Sequence, residues 1–504
     1  MYPSNYLVSR LSHAADSTPD KVFATRPGLP DVTYAQLFAG AQQMAQKLQA
    51  LGLLPGDRVA VQVEKTLEAV QLYLGTVLAG GVFLPLNTAY TGPEVAYFIT
   101  DATPRVLVCD PARLDELSSL AGDATVLTLD QDGAGTLTAD LPALDAVFRP
   151  AAREADDLAA ILYTSGTTGR SKGAMLSHKN LASNSESLRQ LWRFTPDDVL
   201  IHALPIFHTH GLFVATNVAL LSGASVVFLP KFDAQAILDA MPSATALMGV
   251  PTFYTRLLDN PRLTLEQARN MRLFISGSAP LLVDTHEQWE QRTGHRILER
   301  YGMTETNMST SNPYDAERRA GTVGFPLPGV ELRIMDDGAE VAQGKIGVIE
   351  VRGDNVFQGY WQMPEKTAEE LRPDGWFITG DLATRDADGY VTIVGRAKDL
   401  IITGGFNVYP KELESLIDDI PGVLESAVIG VPHRDFGEAV VAIVVASDPG
   451  LSADQIETVT SARLAKFKQP KKILFLPELP RNTMGKVQKK ALREAHGGLF
   501  GSSL

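Results

Sequence analysis

The stretch that most limits how this chain can fold is YTSGTTGRSKG at residues 163–173, with an apolar run at 158–162 leading into it. Five apolar or small residues in a row read as a short buried strand. The eleven residues that follow hold three glycines, five serine or threonine hydroxyls and one lysine, Lys172. Glycine lets a backbone turn sharply and come close to a ligand. Backbone N–H groups and hydroxyls in such a turn wrap a polyphosphate, and a lysine adds positive charge. The spacing G-x-x-x-x-G-K-[ST] is absent, which excludes the usual P-loop kinase or GTPase. A flexible linker of this composition would not need a hydrophobic strand in front of it.

A chain of 504 residues is too long for one hydrophobic core, so two or more domains are expected. Its 45 basic and 59 acidic side chains leave a net charge of −14. That balance argues against nucleic-acid binding, but it does not forbid an anionic substrate, because sites are local. The single cysteine, Cys109, excludes an intrachain disulfide and fits a reducing compartment. It follows the apolar run at 106–108 and reads as the end of a buried strand. The first 25 residues hold no apolar signal-peptide core, and the longest weakly polar stretch, 74–86, is too short to span a bilayer. The expectation is a cytoplasmic enzyme with no membrane contact.

Helical and extended patterns alternate through the first 320 residues. Helices are expected at 33–50 and 67–78, and strands at 56–63, 82–86, 106–110 and 225–229. Alternation of this kind implies parallel sheets covered by helices. After about 320 the runs 331–335, 347–352 and 390–394 are short alternating strands with glycine-rich turns, which suggest a smaller β-rich lobe. A polar segment at 395–399 marks a boundary. Beyond it, helices at 410–417 and 452–466 and strands at 427–431 and 440–445 form a compact α+β unit. The expected class is α/β: a large N-terminal domain, 1–397, of helix-covered parallel sheets with a β-rich lobe. A small mobile α+β C-terminal domain, 398–504, completes it.

Three further segments carry chemistry. ERYGMTET at 299–306 places an aromatic, a glycine, a hydroxyl and a carboxylate within five positions. Tyr301 suits a stacked base, Thr304 a phosphate, and Glu305 a hard cation that takes oxygen ligands and substrate phosphates. In the segment 376–381, Asp381 suits two vicinal hydroxyls, and Arg396 follows at the end of the next strand. Near the C-terminus, PRNTMGKVQ at 480–488 is a basic loop centred on Lys486.

In this order and spacing the segments resemble the acyl-adenylate-forming superfamily of acyl-CoA synthetases, peptide-synthetase adenylation domains and firefly luciferase. The resemblance runs from residue 31 through Lys486. It is particularly close to malonyl-CoA synthetases at 163–177, 200–211 and 399–411. It implies a phosphate loop built from Thr164, Ser165, Gly166, Thr167, Thr168, Gly169 and Lys172. Ser278, Ala279 and Pro280 would line adenine and acyl group. Glu299, Arg300, Tyr301, Gly302 and Met303 would complete the nucleotide site, with Asp381 and Arg396 on the ribose. Thr304, Glu305, His208 and Lys486 are the implied catalytic residues, and Glu305 and Thr168 the implied Mg²⁺ contacts. Lys486 bridges the attacking carboxylate and the developing phosphorane, charge that exists only in the transition state. Lys398 is the implied hinge. A pivot there swings Lys486 out and brings in Gly404, Gly405 and Phe406, where two glycines leave room for the pantetheine arm of CoA.

The acid itself is less firmly written. His208 and His210 lie in the loop that gates the acyl pocket of the superfamily. Arg256 lies on the helix that lines it, where fatty or aromatic acids would want apolar residues, and an arginine fork suits a second carboxylate. Arg300 is a weaker candidate for the same role, and Ser278 adds a hydroxyl. The expected activity is malonate–CoA ligation through malonyl-AMP, with ATP and CoA as co-substrates, Mg²⁺ as cofactor, and methylmalonate as a further acid. Rivals are a ligase for another short or medium-chain or aromatic acid, an adenylation module loading a carrier protein, and a nucleotide sensor without activity. A protein acetyltransferase acting on Lys486 is a candidate partner, since acylating that amine would block adenylation.

Overall fold

The computed structural model describes residues 2–145, 148–164, 171–403, 406–433, 436–464, 466–482 and 485–500. Apolar runs far apart in the chain become neighbours in a six-stranded sheet. Its order is Thr125–Thr128, Val106–Cys109, Arg58–Gln62, Val82–Pro85, Leu158–Thr164, Lys172–Ser177. Every pairing is parallel except the last. The central strands are buried nearly end to end because helices cover both faces, which is why they read as continuous apolar runs. Cys109 ends one of them, fully buried.

The second sheet has nine strands with a parallel centre: Leu298–Met303, Leu273–Ser276, Ala246–Gly249, Val199–His202, Ser225–Phe228 and Val22–Arg26. Antiparallel strands close both edges. Leu158–Thr164 in the first sheet and Val199–His202, Leu273–Ser276 and Leu298–Met303 in the second each lead, at the C-terminal end, into a segment singled out above. Open parallel sheets bind ligands at that end of their strands.

The β-rich lobe is an antiparallel sheet, Ala339–Glu340, Val330–Asp336, Gly347–Gly353, Phe377–Arg385 and Val391–Arg396. Residues 401–500 form a separate sheet flanked by the helices Pro410–Asp418, Ala453–Arg463 and Lys489–His496, with apolar clusters of its own. Several boundaries differ from expectation, the most for the strand expected at 427–431, which runs from Val423 to His433. The helix expected to reach 466 stops at Arg463, where Leu464 turns extended, and the Ser452–Gln455 capping box fixes its start. The strand expected at 390–394 continues to Arg396. Among the described residues no helix is long and apolar enough to cross a membrane.

The helix His178–Leu191 begins on a fully buried histidine whose Nδ1 accepts the N–H of Leu7 at 3.3 Å. Burial, and then the charge of Arg153, push His178 down from 6.5 to about 4. As pH falls below 6.5 the unfolded chain takes up a proton that the folded one refuses, so stability present at neutral pH is lost towards pH 4. His178 alone accounts for about 3 kcal/mol of that loss. His202 and His210 act in the same direction. Urea midpoints at pH 7, 6, 5 and 4 should therefore decline steadily. A decline no steeper than that of a His178→Asn variant would mean that His178 takes up its proton in the folded protein.

Candidate active site

Of the phosphate loop, Thr164 and Lys172 lie within the described residues, at the facing ends of the strand pair Leu158–Thr164 and Lys172–Ser177. Ser165, Gly166, Thr167, Thr168 and Gly169 lie outside them. The Lys172 ammonium pairs with Glu370 at 3.2 Å and sits 4.0 Å over the Tyr360 ring. The Tyr360 hydroxyl is 2.6 Å from Glu370 Oε2 and 3.0 Å from Glu305 Oε1. Glu305 is buried, and that burial raises its pKa. The segment 299–306 runs along the strand Leu298–Met303 and into its turn to the paired strand Asn307–Ser311. It is buried at both ends and half-buried at 301–304, rather than an exposed surface turn. Sequence reasoning missed Glu370 and Tyr360; no local motif marks them.

The pair expected on the ribose forms a single cross-strand register. Asp381 stands opposite Arg396, whose Nε donates to Asp381 Oδ1 at 2.7 Å. The Tyr301 hydroxyl donates to the other oxygen, Oδ2, at 2.6 Å. An ionised carboxylate has about four acceptor positions, so two bonds orient Asp381 and leave capacity for a diol. The Glu299 carboxylate is occupied internally by the Gly321 N–H at 3.0 Å and by His286 Nδ1 at 3.2 Å. It braces the hairpin. Gly302, Met303, Thr304, Ser278 and Ala279 are half-buried along the cleft, and Pro280 is exposed at its edge.

At the acid end the two candidate arginines lie in unlike surroundings. Arg256 is exposed on the flank of the helix Pro251–Leu258, its guanidinium 5.7 Å over the Phe232 ring. That helix buries Phe253, Tyr254 and Leu257. Residue 256 falls about 110° from the centre of this face at 100° per residue, outside the apolar stripe. Arg300, by contrast, is 4% exposed, and its Nε and Nη2 have no hydrogen-bond partner. Burial lowers Arg300 to about 9. Gly277 makes room for it: a Cβ there would lie 2.4 Å from the Arg300 Cζ.

His208 and His210 converge on the same place. Burial, followed by the charges of Lys486 and Arg300, pushes His208 down to about 3, so it is neutral. Its Nδ1 accepts the His210 N–H at 3.3 Å, which puts its own proton on Nε2. His208 is therefore a hydrogen-bond donor at neutral pH, not a proton acceptor. His210 is within 3.2 Å of Ser278 Oγ through Nδ1, and its buried Nε2 has no partner. Ser278 itself holds a left-handed φ of 71°, a strained conformation for a residue with a Cβ and one often kept at binding sites.

Lys486 reaches this cleft from the small domain. Crowding there, and then Arg396, lower its pKa, while Asp381 and Glu305 oppose that shift. Its side chain keeps contact with water, so it lines an open cleft crowded by protein rather than a sealed core. The loop is stapled: Lys486 N–H donates to Asn482 Oδ1 at 2.9 Å, and Asn482 N–H donates to Lys486 O at 2.9 Å. Lys398 is exposed in the turn Ala397–Asp399, and crowding plus Arg396 push its ammonium down to about 8. Phe406 is 55% exposed and stacks on Phe467 at 4.6 Å. Gly404 and Gly405 lie outside the described residues.

The AMP-binding enzymes match residues 11–361, and the AMP-binding enzyme C-terminal domain matches 412–486. The chain belongs to the AMP-binding enzymes. Within this family, a malonate–CoA ligase of Arabidopsis thaliana is 36% identical over 489 residues, 90% of this chain and 80% of that one. ATP-bound MatB from Rhodopseudomonas palustris is 59% identical and covers 99% of both chains, with a TM-score of 0.95. Apo MatB, 60% identical over 99% of both chains, superposes less well, with a TM-score of 0.85. The arrangement of this protein is thus more similar to the ATP-bound structure than to the apo one. Like its family, the protein is an AMP-forming acid–thiol ligase.

Proposed function

We propose that the protein is a malonate–CoA ligase, which makes malonyl-CoA, AMP and pyrophosphate from malonate, ATP and CoA. The observation that carries this reading is the buried, unpartnered guanidinium of Arg300 beside neutral His208. A second carboxylate in a bidentate pair is the group that such a fork satisfies. The similarity to a malonate–CoA ligase and to MatB supports the same reading.

In the first half-reaction one carboxylate oxygen of malonate attacks the α-phosphorus and pyrophosphate leaves. Lys486 stabilises the charge gathered between the two anions, while Tyr301, Asp381 and Arg396 hold the ribose. Among the described residues no group of three or more histidine, cysteine or acidic side chains could hold a metal. The site still suits Mg²⁺, which takes few protein oxygens and several from substrate phosphates. Glu305, and Thr168 beyond the described residues, would hold it. When bound, Mg²⁺ neutralises phosphate charge. In the second half-reaction the small domain turns about Lys398. The CoA sulfur then attacks the acyl carbon past Gly404, Gly405 and Phe406, its proton goes to solvent, and AMP leaves.

Acetate would leave Arg300 unpaired, and sites built for a polar group reject analogues lacking it by about 10⁴-fold. One added methyl costs only about 10–200-fold, so methylmalonate should turn over as well. AMP formation measured with malonate, methylmalonate, succinate, acetate and octanoate tests this. Malonate should lead, with methylmalonate behind it and acetate nearly inert. Turnover led by acetate or octanoate would overturn the dicarboxylate reading and leave the ligase chemistry standing.

A further inference from the structure

Lys65 lies between the strand Arg58–Gln62 and the helix Leu67–Leu78, 7% exposed. Among the described residues it has no carboxylate partner. Its Nζ instead meets three acceptors: His202 Nδ1 at 2.9 Å, His202 O at 2.7 Å and Leu229 O at 2.7 Å. The Phe228 ring lies 4.4 Å away. A buried charge without an opposite charge is costly, and its pKa is lowered by that desolvation. A feature this expensive calls for a use, and the half-reactions above give it none.

The hydrogen bonds show what it holds. His202 Nε2 is 3.0 Å from Gly211 O, which can only accept, and the Thr216 hydroxyl also donates to that carbonyl at 3.0 Å. The His202 proton therefore sits on Nε2. Its Nδ1 must then accept, so Lys65 donates there and to both carbonyls. Three acceptors need three N–H bonds, which makes Lys65 an ammonium and offsets part of the desolvation.

His202 ends the strand Val199–His202, and Gly211 lies in the next helical turn, His210–Thr216. The bond between them closes residues 203–210 into a loop. The closure is tight: a Cβ at residue 211 would fall 1.9 Å from Pro205 O. That loop presents His208 and His210 to the acid end. Lys65 follows a strand of the six-stranded sheet, whereas His202 ends one strand of the nine-stranded sheet and Leu229 follows another. We propose that Lys65 is a positioning residue for acid recognition, its buried ammonium acting through His202 to hold the closed loop that carries His208 and His210. The proposal rests on that loop lining the acid pocket, but not on which acid it takes.

The test is steady-state kinetics, per active site, on Lys65→Met, His202→Phe and the double variant, using the best acid found for the wild type. If that acid is not malonate, the malonate reading fails and the Lys65 test still runs. Lys65→Met should raise KM for the acid by on the order of tenfold, the scale of a small displacement of site groups, with KM for ATP within about twofold. The double variant should be no worse than His202→Phe, because Lys65 acts through His202. Lys65→Arg keeps the charge but has a planar fork in place of three convergent donors, so its effect should be intermediate. It carries the test if Lys65→Met does not fold. The proposal is overturned if both KM values rise together, or if the two single effects multiply in the double variant.

Discussion

Arg300→Met should lower kcat/KM for malonate by on the order of 10³-fold and, at the same time, make the ligand-free protein more stable. The loss follows from leaving the second carboxylate of malonate in a dry pocket without its charged donor. The gain follows from the same burial. Nε and Nη2 of Arg300 have no partners in the free protein, so an apolar side chain of similar length relieves about 1–3 kcal/mol of desolvation. A mutation that only disrupts packing would lower both quantities. Paired measurements of turnover and urea unfolding separate the cases, with acetate as the control acid whose low rate should hardly change. Full malonate activity in the variant, or a lower urea midpoint, would exclude Arg300 as the clamp.

Lys486→Ala should reduce adenylation, followed as ATP–pyrophosphate exchange, by about 10²–10³-fold, the usual loss on removing one preorganised transition-state donor. Thioester formation from supplied malonyl-adenylate and CoA should stay within several-fold of wild type. The asymmetry arises because the lysine loop belongs to the small domain and occupies the cleft in the present arrangement, while Phe406 faces solvent. Acylation of the Lys486 amine should mimic the alanine variant. Exchange at the wild-type rate in Lys486→Ala would falsify the assignment.

Much of this architecture was readable before any coordinates. The helix expected at 67–78 has those bounds, because its caps and its apolar face agree. The strands Arg58–Gln62 and Val106–Cys109 fall inside the expected ranges 56–63 and 106–110, because each has apolar residues at its centre. The ribose pair could be named from its motif, but not its register, since only the structure shows that Asp381 and Arg396 face each other across two strands. The sequence does not separate Arg256 from Arg300, for a physical reason. Residue type says what a guanidinium can bind, whereas burial says whether water already satisfies it. The helical phase of residues 253, 254 and 257 carried a usable warning about Arg256. Nothing comparable marked Arg300, because Leu298, Glu299 and Arg300 are all buried. Lys65 was still less visible: two of its three acceptors are backbone carbonyls, and all come from residues more than 130 positions away.

The lone cysteine has a practical consequence. Cys109 is fully enclosed, and burial pushes its thiol up to about 11. At assay pH almost none of it is thiolate, and reagents cannot reach it. Ellman-type colour in a reaction mixture should therefore report free CoA with negligible background from the protein. The same silence makes the native chain a clean host for reporter thiols. A cysteine introduced on each domain would carry a dye pair without first deleting a native one, and the proposed turn of the small domain would show as a change in dye separation during single turnovers.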